Sequence, residues 1–436
     1  MSSMTVKTAE SPELARENAV YRKVVRRIVP FLILCYVVSY LDRVNVGFAK
    51  LQMSDDLGLS EAAYGLGAGL FFIGYFLFEV PSNLMLQKVG ARRWISRIMI
   101  SWGVVSAAFY FVNNEATFYV LRFLLGAAEA GFYPGVILYC TYWFPSQRRA
   151  RVIALFMSAI PVAGIFGNPL SGWIMDVFDG VGGSEGWRWL FLIEALPAIV
   201  VGVIVLSYLD NGVRDAKWLT DDEKSVVERA LAEDTAPRTA HGRALDAFRE
   251  GRVWLMCLIY FCFVMGQYAL TFWMPTFVES TGIEGALAIG VLSAVPYVAA
   301  LVAMNLFGRS ADKRRERRWH LVIPSLMGAV GFSMAASFTG STALSLVALS
   351  IAAAGVLTCA PLFWSLPTAF LSGTAAAAGL AAINSVGNLA GFVSPYMIGA
   401  LKDSTGSTAI PMYVLAAALV IGAAAVLTTK KQTVNH

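Results

Sequence analysis

Long apolar runs separated by short polar segments make up most of this chain. A helix of roughly 17 to 25 apolar residues is long enough to cross a hydrocarbon core about 30 Å thick. Twelve runs reach that length, and they lie near residues 28–48, 64–86, 95–112, 117–142, 150–175, 188–208, 254–275, 286–307, 320–338, 343–370, 376–401 and 409–428. The pattern therefore predicts an all-α membrane protein with twelve transmembrane helices.

One long polar stretch, residues 209–253, separates the first six runs from the last six. We interpret it as a linker that is helical near residues 220–232. The two sets of runs are then expected to form two pseudo-symmetric six-helix bundles. The predicted parts of the chain are a segment 1–27, a bundle 28–208, the linker 209–253, a second bundle 254–428 and a tail 429–436.

Composition and charge placement support a membrane location. The chain is 57% hydrophobic and 14% charged, whereas a soluble protein carries about a quarter charged residues. Basic residues cluster in alternate loops, at 88–97, 147–151 and 309–318, and among the opposite loops only Lys50 and Lys402 are basic. Because positive loops remain cytoplasmic, we predict a multi-pass protein of the bacterial inner membrane with both termini, the linker and these basic loops in the cytoplasm. The basic residues never form one continuous patch, so we predict no nucleic-acid partner.

Several classes of chemistry have no support in the sequence. The first 27 residues lack an apolar core and a small-residue cleavage site, so the first run is expected to be a retained helix. The three histidines are scattered and the five cysteines lie within apolar runs, which does not match the close spacing of metal ligands. No serine elbow or Walker loop is present. We therefore predict no metal, no cofactor and no enzymatic activity.

Four ionisable residues lie inside apolar runs of the first half. Asp42 is about 14 residues into the first run, a rise of about 21 Å, and Arg43 follows it. Arg122 and Glu129 are seven apart on one helical face, which Tyr133 extends. Ionisable groups at such depth usually face the bundle interior and mark a substrate or proton pathway. The alternative is that Asp42 and Glu129 each pair with an arginine and only hold two helices together.

Weaker polar candidates lie elsewhere in the apolar runs. Glu79 and Glu194 are nearer the ends of helices, and we interpret both as structural. The second half offers amides and other polar side chains that could bind the oxygen atoms of a ligand, although an amide in a membrane helix can equally join two helices. These candidates are Gln267, Asn305, Trp364, Ser365, Asn384 and Asn388.

The two halves repeat a loop pattern about 225 residues apart, "NLMLQKVGARR" at 83–93 and "GRSADKRRERR" at 308–318. An internal repeat of six spans is typical of secondary transporters. The second copy resembles the cytoplasmic-loop motif of the major facilitator superfamily. The residues that fit this gating-loop motif are Gly308, Asp312, Lys313, Arg317 and Arg318. In the first copy Asn83 and Gln87 replace the glycine and the aspartate.

Four further stretches resemble the anion:cation symporter branch of that superfamily. They are "YLDRVNVGFA", "GYFLFEVPSNLMLQKVGARRWI", "RFLLGAAEAGFYPG" and "GWRWLFLIEALPA". Members of this branch carry small carboxylates, including sugar acids, tartrate, phthalate and hydroxyphenylacetate. The resemblance implies that Asp42 and Glu129 couple protons. It also implies a substrate cavity lined by Tyr40, Arg43, Tyr75, Gln267, Trp364 and Asn388.

The combined expectation is a proton-coupled importer of a small organic anion that works by alternating access. Arg43 would bind the carboxylate through two parallel hydrogen bonds, and Arg122 is a candidate second contact. Protons would be the coupling ion, and we expect a monomer surrounded by lipid. Two alternatives remain. The first is an anion exchanger, because "GIFGNPLSG" at 164–172 partly resembles a glycine motif of facilitator-family antiporters. The second is a sensor that binds its ligand without transporting it.

Overall fold

The structure is a computed structural model that describes residues 12–234, 250–338, 340–368 and 373–429. Its described residues form sixteen α-helices and three short 3₁₀ segments, with no strand among them. The α-helices are α1 Pro12–Leu57, α2 Glu61–Val89, α3 Ala91–Ala108, α4 Glu115–Glu129, α5 Phe132–Thr141, α6 Ser146–Met157, α7 Ala159–Phe178, α8 Gly186–Tyr208, α9 Asp221–Asp234, α10 Gly251–Glu279, α11 Ala286–Arg314, α12 Arg318–Ser337, α13 Thr342–Phe363, α14 Ser365–Thr368, α15 Gly373–Thr405 and α16 Ala409–Leu427. The 3₁₀ segments are Phe109–Phe111, Val181–Gly183 and Val213–Asp215.

Eleven helical segments in the described chain are long and apolar enough to cross a membrane. The one predicted span outside these eleven segments, residues 376–401, corresponds to α15, which is 33 residues long and packs against α2 and α10. Three runs predicted as single helices are broken: the fourth span consists of α4 and α5, the fifth of α6 and α7, and the tenth of α13 and α14. The prediction of an all-α protein with twelve membrane helices is confirmed.

Helix α1 extends well beyond the apolar run that predicted it. It begins at Pro12 and is 46 residues long. Its polar first turns lie beside α9, the helix of the linker region, and form the ion pairs Arg16–Asp222 at 3.3 Å and Lys23–Glu223 at 2.8 Å. The predicted linker helix is confirmed, at residues 221–234. Exposed pairs of this kind stabilise a contact only weakly.

Helices α1–α8 and α10–α16 form two halves that meet along three helix pairs, α2 with α15, α7 with α11 and α1 with α10. The loops α1–α2, α7–α8 and α10–α11 lie at one end of the molecule, which we call the predicted outer end because the charge pattern predicts it to face outward. The three pairs enclose a cavity near the middle of the spans. This arrangement places α1 and α10 face to face across the cavity.

Candidate functional site

The cavity between the two halves has a volume of about 60 Å³. A buried water needs roughly 10 to 15 Å³ measured in this way, so the space holds a few waters or a small polar ligand. Aromatic side chains line it on both sides, amides line the second half, and Arg43 is the one charged side chain among the described lining residues. The lining residues are Tyr36, Tyr40, Arg43, Phe72, Tyr75, Tyr133, Met157, Ile160, Tyr260, Gln267, Tyr268, Ala360, Asn384 and Asn388.

Arg43 of α1 and Glu129 of α4 form a buried ion pair at the wall of the cavity. The Nε and Nη2 atoms of Arg43 donate to Oε1 of Glu129 at 2.9 and 2.5 Å, and the Ser39 hydroxyl donates to the same oxygen at 2.7 Å. Glu129 is 1% exposed and Arg43 is 8% exposed. Because a buried charge is costly unless it is paired, each of these two groups depends on the other for its stability.

The fourth span breaks directly after Glu129. Helix α4 ends at Glu129, and the chain turns at Gly131, which has a positive φ of 84°, before α5 starts. A β-carbon at Gly131 would overlap the side chain of Ser82 on α2. Only glycine combines that backbone conformation with so close a neighbour. The carboxylate is therefore presented at a helix end instead of along a continuous helix.

Aromatic rings surround the guanidinium of Arg43. Its carbon lies 5.4 Å from the ring centre of Phe71, 5.7 Å from that of Tyr75 and 5.8 Å from that of Tyr40. Its Nη1 atom makes no hydrogen bond to any residue that the structure describes. A cation held by ring faces gains stabilisation without using its donors. Arg43 therefore keeps a donor nitrogen that Glu129 does not occupy.

Asp42 lies on the opposite side of α1, away from the cavity. Its carboxylate accepts from Trp102 Nε1 at 2.8 Å, from Ser106 Oγ at 2.9 Å and more weakly from Asn45 Nδ2 at 3.5 Å. Adjacent residues of a helix project about 100° apart, so Asp42 and Arg43 cannot share a face. Within the described chain Asp42 forms no ion pair. The structural alternative required an arginine partner for each acid. Glu129 has such a partner, and Asp42 does not.

Arg122 lies apart from the cavity lining and is 1% exposed. Its Nε and Nη2 donate to the carbonyl oxygens of Gly67 and Ala68 at 3.3 and 3.2 Å. Its guanidinium is 5.2 Å from the ring centre of Phe71, the ring that also contacts Arg43. Phe71 connects the two arginines and was missed by the sequence analysis, which has no signal for it beyond its position four residues before Tyr75.

The second half contributes neutral polar groups to the cavity. Gln267 Nε2 donates weakly to Tyr40 Oη at 3.4 Å, across the two halves. Asn388 also lines the cavity, as predicted, and Asn384 lines it while donating to Glu79 Oε1 at 3.2 Å. Asn305 instead donates to the carbonyl of Leu301 in its own helix.

Trp364 is outside the set of lining residues, but its ring lies 5.0 Å from that of Tyr260, which belongs to the set. Three tyrosines of the lining, Tyr36, Tyr260 and Tyr268, were not among the residues predicted from the sequence. Tyr36 precedes Tyr40 by one turn and Tyr260 precedes Gln267 by seven residues, so a shared helical face was the available signal for these two tyrosines. Tyr268 directly follows Gln267 and had no such signal.

The gating-loop residues lie at the end of α11 and the start of α12. Arg317 Nη1 and Asp312 Oδ1 are 2.8 Å apart. Arg318 donates to the carbonyl of Leu427 at the end of α16. Both contacts stay within the second half.

Comparisons with known proteins agree with this architecture. The family model described as Major Facilitator Superfamily matches residues 32–395. The chain is 47% identical over 424 residues to the "Putative metabolite transport protein NicT" of Pseudomonas putida, covering 96% of each chain. It is 50% identical over 410 residues to a "Putative tartrate transporter" of Agrobacterium vitis, covering 93% of this chain and 94% of the relative.

Among solved structures, the D-xylose-proton symporter superposes with a TM-score of 0.75 at 14% identity, over 94% of this chain and 99% of the other. That similarity shows the fold. The two relatives are named as transporters, and the family model spans most of the chain. The protein is therefore a multi-pass membrane transporter of a small molecule and not an enzyme, and it belongs to the major facilitator superfamily.

Proposed function

We propose that this transporter imports a small organic anion, a carboxylate such as a sugar acid, tartrate or an aromatic acid, together with protons. The observation that carries the proposal is the Arg43–Glu129 pair. Arg43 is the cation of the cavity lining, and its two hydrogen-bonding atoms donate to a single glutamate oxygen. An anion entering the cavity competes with Glu129 for that guanidinium.

Protonation of Glu129 provides the link between the proton and the anion. When Glu129 is ionised, its charge neutralises Arg43 and the cavity has little attraction for an anion. When a proton binds to the carboxylate, the acid no longer satisfies the buried cation, and Arg43 can form two parallel hydrogen bonds with a substrate carboxylate. Loss of the proton on the inner side restores the ion pair and expels the anion.

Asp42 is the second proton carrier in this proposal, without substrate contact. Its hydrogen bonds to Trp102 and Ser106 connect α1 to α3, so its charge state affects how α1 is held. Each net positive charge moved inward gains about 2.3 kcal/mol per 100 mV. A monoanion that entered with two protons would thus be driven by the membrane potential as well as by the pH gradient.

The remaining lining residues give a basis for selecting the substrate. Gln267, Asn384 and Asn388 offer donors and acceptors for hydroxyl or second carboxyl groups, and the tyrosine rings limit the space. The name of the Agrobacterium vitis relative supports a hydroxylated acid. We do not assign one compound, because these neutral groups suit several small acids.

The proposal is tested by uptake into proteoliposomes under an imposed pH gradient, acidic outside. The probes are labelled tartrate, a sugar acid and an aromatic acid, with neutral D-xylose as a control. At least one acid should accumulate above equilibrium, dissipation of the gradient should abolish accumulation, and D-xylose should stay at background. Uptake that depends only on anion preloaded inside would instead show an exchanger, and binding of an acid without uptake would show a sensor.

The proposed orientation has its own test. Cysteines introduced at positions 55 and 181 are expected to react with an impermeant thiol reagent in intact cells, because both positions are exposed and lie at the predicted outer end. A cysteine at position 315, exposed in the basic α11–α12 loop, should react only after lysis. Labelling of position 315 in intact cells would contradict the predicted orientation.

A further inference from the structure

At the predicted outer end the two halves meet along two seams that repeat one sequence pattern. The first seam joins α7 to α11, and the second joins α15 to α2. Helix α7 contains "GNPLSGWIMD" at 167–176, and α15 contains "SPYMIGALKD" at 394–403, each stopping two residues before the end of its helix. Each has a proline, then a glycine, then an aspartate four residues after that glycine. The pattern is a product of the internal repeat, but each copy faces the other half.

Each aspartate caps the first turn of a helix in the opposite half. Asp176 accepts from the backbone N–H of Ala286 at 3.1 Å and of Leu287 at 2.9 Å, at the start of α11. Asp403 accepts from the N–H of Glu61 at 3.1 Å and of Ala62 at 2.8 Å, at the start of α2. The first N–H groups of a helix have no partner within it, and the helix dipole favours a negative charge there.

Glycines let the helices approach closely enough for these bonds. A β-carbon at Gly172 would overlap the carbonyl of Ala286, and one at Gly290 would overlap that of Asn168. The second seam has the same arrangement, since a β-carbon at Gly399 would overlap the carbonyl of Glu61 and one at Gly65 that of Pro395. Both aspartates thus reach their donors only while the backbones of the two halves are in contact.

We propose that Asp176 and Asp403 form a twin latch that holds the predicted outer end closed, and that both caps break when this end opens. The inference rests on the alternating access of the proposed function. All four backbone donors lie at helix ends beside loops, where water can replace the carboxylates. Opening therefore leaves no donor without a partner, and the latch is reversible.

The second seam carries an ion pair between the halves, which the first lacks in the described chain. Glu61 lies 2.5 Å from Lys402 of the opposite half and 2.9 Å from Lys50 of its own half. Lys50 is 6% exposed and lies 5.1 Å from the ring centre of Trp273 on α10. Lys50 and Lys402 are the two basic residues that departed from the charge pattern of the predicted outer loops. Both lysines contact Glu61, which explains why basic residues occur at the predicted outer end. We therefore expect the second seam to tolerate the loss of Asp403 better than the first seam tolerates the loss of Asp176.

The test measures the distance between the halves in the substrate-free, full-length protein. Spin labels are placed on cysteines at Asn113 in the first half and Glu284 in the second, both exposed at the predicted outer end. The five native cysteines, all buried, are replaced beforehand. Asp176→Asn keeps the size of the side chain but removes its charge. It should raise the ratio of open to closed populations roughly fivefold. Asp403→Asn should raise it less, and the double variant should exceed either one.

Asp179→Asn is the matched control. Asp179 caps the first residue of α8, accepting from the N–H of Gly186 at 2.9 Å, but this bond stays within the first half. It should leave the ratio unchanged. Ala286→Pro removes one donor of the first latch while Asp176 stays intact, at the first position of a helix, where proline is tolerated. It should raise the ratio by less than Asp176→Asn does.

The outcomes separate the latch from the transport cycle. If the unsubstituted protein shows two distances and neither Asp176→Asn, Asp403→Asn nor Ala286→Pro changes their ratio beyond the control, the latch is wrong. If the unsubstituted protein and every variant show the same single distance at this end, without and with each probe acid, alternating access itself fails. Should one aspartate variant not fold, Ala286→Pro and the other aspartate variant still decide between these results.

Discussion

The two halves of the transporter share one fold but contribute different chemistry to the cavity. The first half supplies Arg43, which is paired with Glu129, and places Asp42 behind α1. The second half supplies Gln267, Asn384 and Asn388 together with the rings of Tyr260 and Tyr268. A repeated fold has thus been given charges on one side of the cavity and neutral polar groups on the other.

This difference suggests a division of roles. A charged pair can be switched by a proton, because neutralising one partner leaves the other without compensation. Amide and phenol groups keep their hydrogen-bonding capacity across the ordinary pH range, so they can select a ligand by shape and hydrogen bonding without responding to the proton gradient. We therefore expect substitutions in the first half to change coupling, and those in the second half to change affinity.

Replacing Arg43 should have the largest effect on binding. Arg43→Lys keeps the charge but cannot reproduce the planar pair of donors or the contact with the surrounding rings. We expect the Kd of the transported acid to rise roughly tenfold to a hundredfold, the range for losing a hydrogen bond to a charged group. Binding to purified protein measures this. An unchanged Kd would remove Arg43 from the substrate site.

Replacing Asp42 should affect stability more than binding. Asp42→Asn keeps one oxygen for the indole N–H of Trp102, and its amide then faces Ser106, whose hydroxyl must turn to accept, and the Asn45 amide, which loses its acceptor. The free energy of unfolding should fall by about 1 to 3 kcal/mol, measured by thermal unfolding in detergent. Proton-driven accumulation should fall as well, while the Kd changes little. Ser106→Ala is the control, because it loses one donor and keeps the acid. A tenfold rise in Kd for Asp42→Asn would contradict its position behind α1.

Replacing a polar group of the second half should have the smallest effect. Gln267→Leu removes an amide that lines the cavity and contacts Tyr40 at 3.4 Å. The Kd should rise about 3- to 10-fold, as expected for a neutral hydrogen bond, and more for hydroxylated acids than for simple ones. The steady-state accumulation ratio should remain that of the unsubstituted protein. If accumulation by this variant no longer depended on the pH gradient, the proposed division of roles between the halves would be contradicted.

The span count and the internal repeat could be predicted from sequence, because both depend on long apolar runs. The partners of the buried charges could not. A spacing of seven placed Arg122 and Glu129 on one face, but it also separates them by about 10 Å along the axis. Arg122 instead contacts backbone carbonyls near Phe71. Glu129 instead pairs with Arg43 of α1, and the span breaks directly after it at Gly131. A run of apolar residues shows neither the partner nor the break.

The cavity could be predicted in part. Tyr40, Arg43, Tyr75, Gln267 and Asn388 line it, and their assignment to a substrate site stays a prediction. Asp42 follows Tyr40 by two residues, so it projects from a different side of α1 and contacts α3 instead of the cavity. Trp364 supports Tyr260 without lining the cavity. These positions depend on how helices rotate about their axes, and contacts between distant parts of the chain set that rotation.

The central claim is that a proton on Glu129 controls access of the anion to Arg43. Glu129→Gln resembles the permanently protonated acid, since it fills the same volume without a charge. It is compared with the unsubstituted protein in two proteoliposome assays, counterflow exchange of the labelled acid at equal pH and uphill uptake under a pH gradient. Glu129→Asp serves as a control that keeps a proton-binding group.

We predict that Glu129→Gln retains counterflow exchange and loses accumulation, because the anion can still bind Arg43 but no proton moves with it. Glu129→Asp should keep some accumulation. If Glu129→Gln accumulates the acid at the rate and level of the unsubstituted protein, then Glu129 is only a structural counter-ion of Arg43 and the account of coupling is contradicted.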